Sequence, residues 1–180
     1  MTAATATAAN STAPFAATGL DLEDLVGLSM SDLEGIYRDG TLPTSMHALD
    51  GAPRGRMLTI AGPLGGRAIG SAIDRFAGSR GFPWGGKSFQ ATSDVAGTGI
   101  NRVALAGQRE WFPFETSITP SAIDGEPCIF LQYEVKGNPW AIAKIHDELR
   151  EVSPGLFLGP AMWKRNPTPA LVLWFAIDTN

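Results

Sequence analysis

The sequence predicts a mainly β protein with flanking helices, built around an antiparallel β-barrel of about seven or eight strands. Six strand candidates follow residue 84, and several of them alternate between apolar and polar side chains. The turns between them, at intervals of about 8–12 residues, are typical of sandwiches and barrels. The last segment, Ala170–Asp178, is nearly all apolar, so both of its faces need burial, one inside and one under a helix. This favours a barrel over a sandwich, and a helix-covered open sheet is the competing architecture.

Composition and charge narrow the class of protein further. The 180 residues carry 14 Lys and Arg against 18 Asp and Glu, which argues against nucleic-acid binding because that needs a concentrated basic surface. No apolar run is long enough to span a membrane. Residues 1–18, rich in Ala and Thr and without Lys or Arg, are interpreted as a disordered tail rather than a secretory signal. We therefore expect a cytoplasmic protein with one barrel domain over residues 19–180.

The chain before residue 84 combines helical patterns with a first strand. Two acidic segments with regularly spaced Leu indicate helices, and Ser31 with Glu34 matches a capping box in the second of them. The elements predicted here are the helical segments Leu20–Leu28, Ser29–Arg38 and Arg67–Ala77 and the strand Arg56–Ala61.

The rest of the chain is predicted to form strands with one helical interruption. The strands expected are Lys87–Ser93, Thr98–Ala106, Glu110–Ile118, Pro127–Val135, Leu156–Trp163 and Ala170–Asp178. Asn138 and Pro139 suit an N-cap and a first helical position. An apolar stripe follows, which predicts a helix over Pro139–Val152 between the late strands. The stripe consists of Ile142, Ile145, Leu149 and Val152.

The sequence contains one nucleotide-binding pattern, whose flanking elements do not fit, and too few side chains for a zinc site. Gly81–Ser88 matches the P-loop expression G-x-x-x-x-G-K-[ST], but a P-loop needs a strand before it and a helix after it. Here a helical pattern precedes the motif and a strand pattern follows it. Only Cys128, His47 and His146 could supply soft or imidazole ligands, too few for a zinc site. We expect no metal, nucleotide or flavin cofactor, and we place His47 at the surface.

A cluster of charged residues lies within the predicted late helix. It comprises His146, Asp147, Glu148, Arg150 and Glu151. Pairs at i,i+4 on a solvated helix face account for this spacing better than a catalytic group does. Asp147 and Arg150 lie three residues apart and could form an ion pair that anchors the helix against the barrel.

Two strands offer an apolar face with few polar groups, the composition of a small-molecule pocket. Tyr133 shares its face with Ile129, Leu131 and Val135, and a filled core with Tyr133 hydrogen-bonded to the backbone is the alternative. Asn101 and Arg102 point to opposite faces, so one of them faces inward. The candidate catalytic residues are Tyr133, Asn101 and Glu115, and the candidate ligand-binding residues are Trp84, Phe89, Phe112, Phe114, Thr116 and Leu131.

Two stretches, Asn138–Gly159 and the closing Leu171–Asp178, resemble small bacterial calycin-like, or lipocalin-like, barrel proteins. The resemblance implies a cavity for a hydrophobic small molecule. It also implies an N-terminal lid and cofactor-free ring closure, as in some stand-alone barrels of bacterial polyketide pathways.

The expected function is therefore that of a cofactor-independent cyclase or isomerase acting on a hydrophobic molecule inside the barrel. The alternative is a non-catalytic carrier or sensor of a hydrophobic ligand. The two differ in whether Tyr133, Asn101 or Glu115 faces the cavity without a structural partner. The expected partner is a small molecule rather than nucleic acid or a membrane, and a homodimer is compatible with the sequence.

Overall fold

Eight antiparallel strands close into a barrel in the computed structural model, which describes residues 19–61, 84–104 and 108–180. Each strand pairs with the next in sequence, and the last pairs with the first. The strands are β1 (Arg54–Ile60), β2 (Trp84–Ser93), β3 (Ala96–Ala104), β4 (Gln108–Pro120), β5 (Pro127–Gln132), β6 (Ile145–Ser153), β7 (Leu156–Trp163) and β8 (Ala170–Asp178). The prediction of a mainly β antiparallel barrel is confirmed. The predicted tail over residues 1–18 and helix over Arg67–Ala77 lie outside the described residues.

Two α-helices and one 3-10 helix flank the strands in the described ranges: α1 (Met30–Asp39), the 3-10 helix (Met46–Leu49) and α2 (Trp140–Ala143). A capping box begins α1, but its residues are Ser29 and Asp32 rather than Ser31 and Glu34. The predicted helical segment Leu20–Leu28 is wrong, because residues 22–27 form turns. None of the described helices is long and apolar enough to cross a bilayer.

The last strand shows why the sheet closes. Leu173, Phe175 and Ile177 of β8 belong to the core inside the barrel. Trp174 and Ala176 alternate with them and lie in a second apolar cluster, which also contains residues of α1. Both faces of β8 are thus buried, one inside the barrel and one beneath a helix, as its apolar sequence predicts.

A helix between the late strands is present as predicted, but most of the predicted range Pro139–Val152 is not helical. Only Trp140–Ala143 is helical, and the chain then enters β6, which pairs with β5 and β7. A strand with partners on both sides satisfies its backbone groups through two ladders, and this outweighs the weak preference for helix in the apolar spacing. The consequence is large for the site, because neighbouring residues of a strand face opposite sides of the sheet.

The barrel closes between β1 and β2 at a point where two glycines meet. A Cβ atom on Gly55 would lie 2.3 Å from the Cα atom of Gly86 and 2.7 Å from the Trp84 ring. Arg54 and Gly86 are paired across this seam. The absence of side chains on Gly55 and Gly86 lets the strands approach and lets Trp84 pack over β1.

Candidate functional site

A cavity of about 130 Å³ lies inside the barrel, at the end where β1 ends and β2 begins. Its walls are mainly apolar and include Met57, Trp84, Phe112, Ile142, Leu173 and Phe175. Four polar side chains also line it, namely Lys87, Asn101, Tyr133 and Asp147. Apolar walls with a few convergent polar groups are the usual composition of a ligand pocket.

The four polar residues form one hydrogen-bonded group, called here the polar cluster. The Nζ atom of Lys87 lies 2.6 Å from the Tyr133 hydroxyl, 2.9 Å from Asn101 Oδ1 and 3.0 Å from Asp147 Oδ2. The Tyr133 hydroxyl donates to Asp147 Oδ2 at 2.9 Å. An ammonium group has three N–H donors, so these three acceptors satisfy it completely.

The strand registers bring these side chains together. Lys87 of β2 and Asn101 of β3 are directly paired, so their side chains share the inner face. Tyr133 follows β5 by one residue, and Asp147 lies on the neighbouring strand β6. Each of these two pairs thus starts on adjacent strands, and the pairs meet inside the barrel through the hydrogen bonds of Lys87.

Aromatic rings surround the Lys87 ammonium where the hydrogen bonds leave it uncovered. Its Nζ atom lies 5.0–5.5 Å from the centroids of Trp84, Phe114, Tyr133 and Phe175. Ring faces attract a cation, which offsets part of the cost of removing it from water. Only 3% of Lys87 is exposed to solvent.

Burial sets the protonation behaviour of the polar cluster. It lowers the pKa of Lys87, and the neighbouring Asp147 carboxylate opposes that shift. Burial also raises the pKa of Tyr133, and the charge of Asp147 raises it further. Tyr133 therefore remains a protonated donor across the physiological range.

One oxygen of the polar cluster has no partner. Asp147 Oδ1 is buried and accepts no hydrogen bond within the part of the chain that the structure describes. An unpaired buried carboxylate oxygen costs folding free energy, about 1–3 kcal/mol or more for a charged group. Because Asp147 lines the cavity, a ligand with a hydrogen-bond donor could satisfy this atom.

The predicted site residues fall into three groups. Tyr133, Asn101, Trp84 and Phe112 line the cavity. Phe89, Phe114, Thr116 and Leu131 are buried but do not line it. Glu115 is exposed, because it alternates along β4 with the buried Phe114 and Thr116 and so faces outward.

Tyr133 and Asn101 both have structural partners. Besides their contacts with Lys87, the Asn101 amide donates to the Phe112 carbonyl at 3.2 Å, and Trp84 Nε1 donates to Asn101 Oδ1 at 3.2 Å. The partner of Tyr133 is a charged side-chain cluster rather than the backbone.

Lys87 and Asp147 are the residues that the sequence reasoning missed. Lys87 belongs to the P-loop pattern, yet it shares a strand face with Phe89, which already indicates an inward direction. Asp147 was assigned to a solvated helix face, which is wrong because it points inward from β6. The P-loop context fails as predicted, since the described residues after Gly86 continue as strand β2.

Three further titratable residues of β6, His146, Glu148 and Arg150, lie on its outer face. Glu148 is fully buried and accepts hydrogen bonds from the Tyr37 hydroxyl at 2.7 Å and the Ser121 hydroxyl at 2.5 Å. His146 Nε2 lies 2.7 Å from Glu148 Oε1. Burial acts to raise the pKa of Glu148, but these hydrogen bonds outweigh it and hold the pKa below its usual range.

Arg150 holds α1 and the segment after β4 to the barrel. Its guanidinium donates two hydrogen bonds to Asp124, at 2.7 and 2.8 Å, and lies 4.5 Å from the centre of the Tyr37 ring. The predicted pair between Asp147 and Arg150 is therefore wrong, because the two side chains occupy opposite faces of β6. His47 is exposed at the surface, as predicted, and contacts Asp50.

Comparison with known proteins supports the architecture and nothing finer. No protein-family model matches the chain, and no curated protein matches it. A crystal structure of a protein from Thermomonospora curvata superposes with a TM-score of 0.52 at 16% sequence identity, covering 88% of this chain and 92% of that one. At this identity the likeness shows the fold alone.

Proposed function

We propose that this calycin-like barrel binds a hydrophobic small molecule in its cavity and acts on it as a cofactor-independent cyclase or isomerase. The observation that carries the proposal is the unpartnered Oδ1 atom of Asp147, a residue that lines a cavity with mainly apolar walls. A carboxylate so placed can accept a proton from a substrate, which is the role of a general base.

The size and charge of the cavity restrict the ligand. An apolar cavity of about 150 Å³ holds benzene, so a cavity of about 130 Å³ suits a molecule with about one ring. Lys87 and Asp147 balance each other's charge, so the cavity favours a neutral ligand. The ligand is expected to carry one hydrogen-bond donor or one acidic C–H group for Asp147.

The chemistry follows from Asp147 and the two side chains that donate to its other oxygen, Oδ2, which are Lys87 and Tyr133. Asp147 Oδ1 takes a proton from the substrate, and the same proton is returned at another atom, which makes the reaction an isomerisation or a ring closure without net change in composition. Once Asp147 is protonated, its Oδ2 atom is a weaker acceptor, so the Lys87 ammonium and the Tyr133 hydroxyl, which donate to it, can turn to the negative charge that develops on the substrate. The walls hold the reactive conformer, which lowers the entropic part of the barrier.

The carrier remains the second candidate, and one observation favours it. Tyr133 and Asn101 are already hydrogen-bonded to other residues, so neither side chain faces the cavity without a structural partner. A carrier would use the same cavity and the same Asp147 contact but transfer no proton.

The first test concerns binding. Benzyl alcohol is toluene with one added hydroxyl, so of the two only the alcohol offers a hydrogen-bond donor. We expect calorimetric titration to show tighter binding of the alcohol by about 0.5–1.5 kcal/mol, the net value of one hydrogen bond. Equal affinities would contradict a role for Asp147 as a ligand acceptor.

The second test concerns catalysis, and it uses the small molecule that native mass spectrometry finds bound to the purified protein. Tyr133→Phe removes one oxygen and little volume, and in an enzyme it should lower kcat by about 10²–10³. In a carrier it should change the affinity by no more than about 1 kcal/mol. Glu110→Gln, on an exposed position of β4, is the control and should change neither.

A further inference from the structure

We infer that Lys87 forms a covalent imine with an aldehyde or ketone in the cavity, so that the barrel captures carbonyl compounds reversibly. The inference rests on the cavity of the proposed function but not on its proton-transfer chemistry. Its basis is the placement of one amine, one acid and one carboxylate around the same apolar space.

Lys87 differs from the chain's other lysines in its surroundings. The sequence contains four lysines, and the other three are Lys136, Lys144 and Lys164. Lys136 and Lys144 are exposed, whereas Lys87 is 3% exposed and lines the cavity. A carbonyl compound that enters the cavity therefore meets the Lys87 amine at high effective concentration.

The neighbours of Lys87 can move the protons that imine formation requires. Asp147 Oδ2, at 3.0 Å, accepts a proton from the ammonium and leaves a neutral amine. The amine lone pair attacks the carbonyl carbon, and the carbonyl oxygen takes a proton from the Tyr133 hydroxyl, which lies 2.6 Å from Nζ. Tyr133 regains a proton from the nitrogen.

Loss of water completes the step. The proton held by Asp147 is transferred to the new hydroxyl, water departs, and the nitrogen lone pair forms the C=N bond. The balance is one ammonium and one carbonyl compound giving one protonated imine and one water. The positive charge stays on the nitrogen, so the Asp147 carboxylate pairs with it before and after the reaction.

Burial favours the nucleophilic form of this lysine. It lowers the pKa of Lys87, although Asp147 opposes the shift, so deprotonation costs less than at a solvated lysine with the same partner. The surrounding rings exclude water, which slows hydrolysis of the imine once it has formed.

The experiment uses benzaldehyde as the probe, with sodium cyanoborohydride to reduce any imine to a stable benzyl amine. Peptide mapping by mass spectrometry then locates the benzyl group on the wild-type protein, so the result does not depend on any variant folding. Lys136 and Lys144 serve as internal references. We expect Lys87 to be labelled at least about tenfold faster than these exposed lysines, given the effective concentrations of confined groups.

Two variants sharpen the result. Lys144→Arg should leave the labelling of the cavity unchanged, and Lys87→Met should abolish it while leaving the labelling of Lys136 intact. Excess benzyl alcohol should slow the labelling of Lys87 alone, because it competes for the cavity. Labelling confined to the exposed lysines and the amino terminus would overturn the inference.

The outcomes also separate this inference from the proposed function. If benzyl alcohol binds to the wild-type protein and Lys87 is not labelled, the imine is refuted and the noncovalent function stands. If Lys87 is labelled but the donor of benzyl alcohol adds no affinity over toluene, the imine stands and the role of Asp147 as a ligand acceptor fails.

Discussion

The buried Lys87–Asp147 ion pair leads to a specific prediction about the stability of single and double variants. Removing either partner should destabilise the protein strongly, whereas replacing both with apolar residues should cost less than either single change. The pair is nearly inaccessible, with side-chain exposures of 4% and 5% and an N–O distance of 3.0 Å. Lys87→Met leaves the carboxylate buried without its cation, and Asp147→Leu leaves the ammonium without its anion.

The expected change in the free energy of unfolding follows from two opposing contributions, the attraction between the charges and the cost of removing each from water. Attraction across 3.0 Å amounts to about 5.5 kcal/mol at an effective dielectric constant of 20. Removing each ion from water costs several kcal/mol, so the pair as a whole contributes little net stability. Each single variant should therefore lose about 3–5 kcal/mol. The double variant should lose less, about 1–3 kcal/mol, because it removes both charges and leaves only the buried Tyr133 hydroxyl without its acceptor.

The assay is a double-mutant cycle from urea unfolding curves. The Lys164–Glu134 pair provides the control, since its N–O distance is also 3.0 Å but its side chains are 21% and 56% exposed. Its coupling should be about 0.2–1 kcal/mol, because water screens it. If the buried cycle gives a coupling no larger than the exposed one, the reasoning from desolvation is refuted.

Three further predictions concern other parts of the molecule. Burial raises the pKa of Cys128 to about 12. Ellman's reagent at pH 8 should therefore leave the thiol of the native protein unmodified and react with one thiol per chain in urea. Reaction of the native protein would contradict this burial. A Cβ atom on Gly159 would lie 1.7 Å from the Glu148 carbonyl oxygen, so Gly159→Ala should lower the Tm sharply, whereas Gly35→Ala in α1, with open space around it, should be neutral or raise stability by about 0.5–1 kcal/mol. The pKa of Glu148 is lowered in the folded state, so its contribution to stability is complete above the ordinary value of 4.5 and is lost as the pH falls through the lowered value. The difference in unfolding free energy between wild type and Glu148→Gln should therefore shrink over that acidic range. A difference that stays constant with pH would contradict this.

The barrel could be predicted from sequence because two-residue periodicity is a local signal. The apolar residues Phe112, Phe114 and Ile118 lie at even spacing along one segment and mark a strand without knowledge of its neighbours. The strand β6 could not be identified in this way. Its apolar residues also fit a helical stripe, and the choice was decided by pairing with β5 and β7, which is long-range information.

Only two of the four residues of the polar cluster, Tyr133 and Asn101, could be predicted from the sequence, for a related reason. Tyr133 was identified because its strand face is otherwise apolar, and the same face lies in the core. Lysine and aspartate are almost never fully buried unless they are paired, so neither Lys87 nor Asp147 is a candidate interior residue when considered alone. Each becomes one only when the other is placed 3.0 Å away, and 60 residues of sequence separate them.

The two buried acids of β6 show how one strand serves two purposes. Asp147 and Glu148 are adjacent and carry the same charge, yet each is stabilised by a different set of partners on its own side of the sheet. Glu148 binds the backbone amide of Ala122 at 2.8 Å and the hydroxyl of Tyr37, which ties β6 to the segment after β4 and to α1. These outer bonds restrain the backbone that carries Asp147, and a site held by rigid strands keeps its geometry better than one held by loops. The outer network thus helps to keep the Asp147 carboxylate within hydrogen-bonding distance of Lys87 and Tyr133.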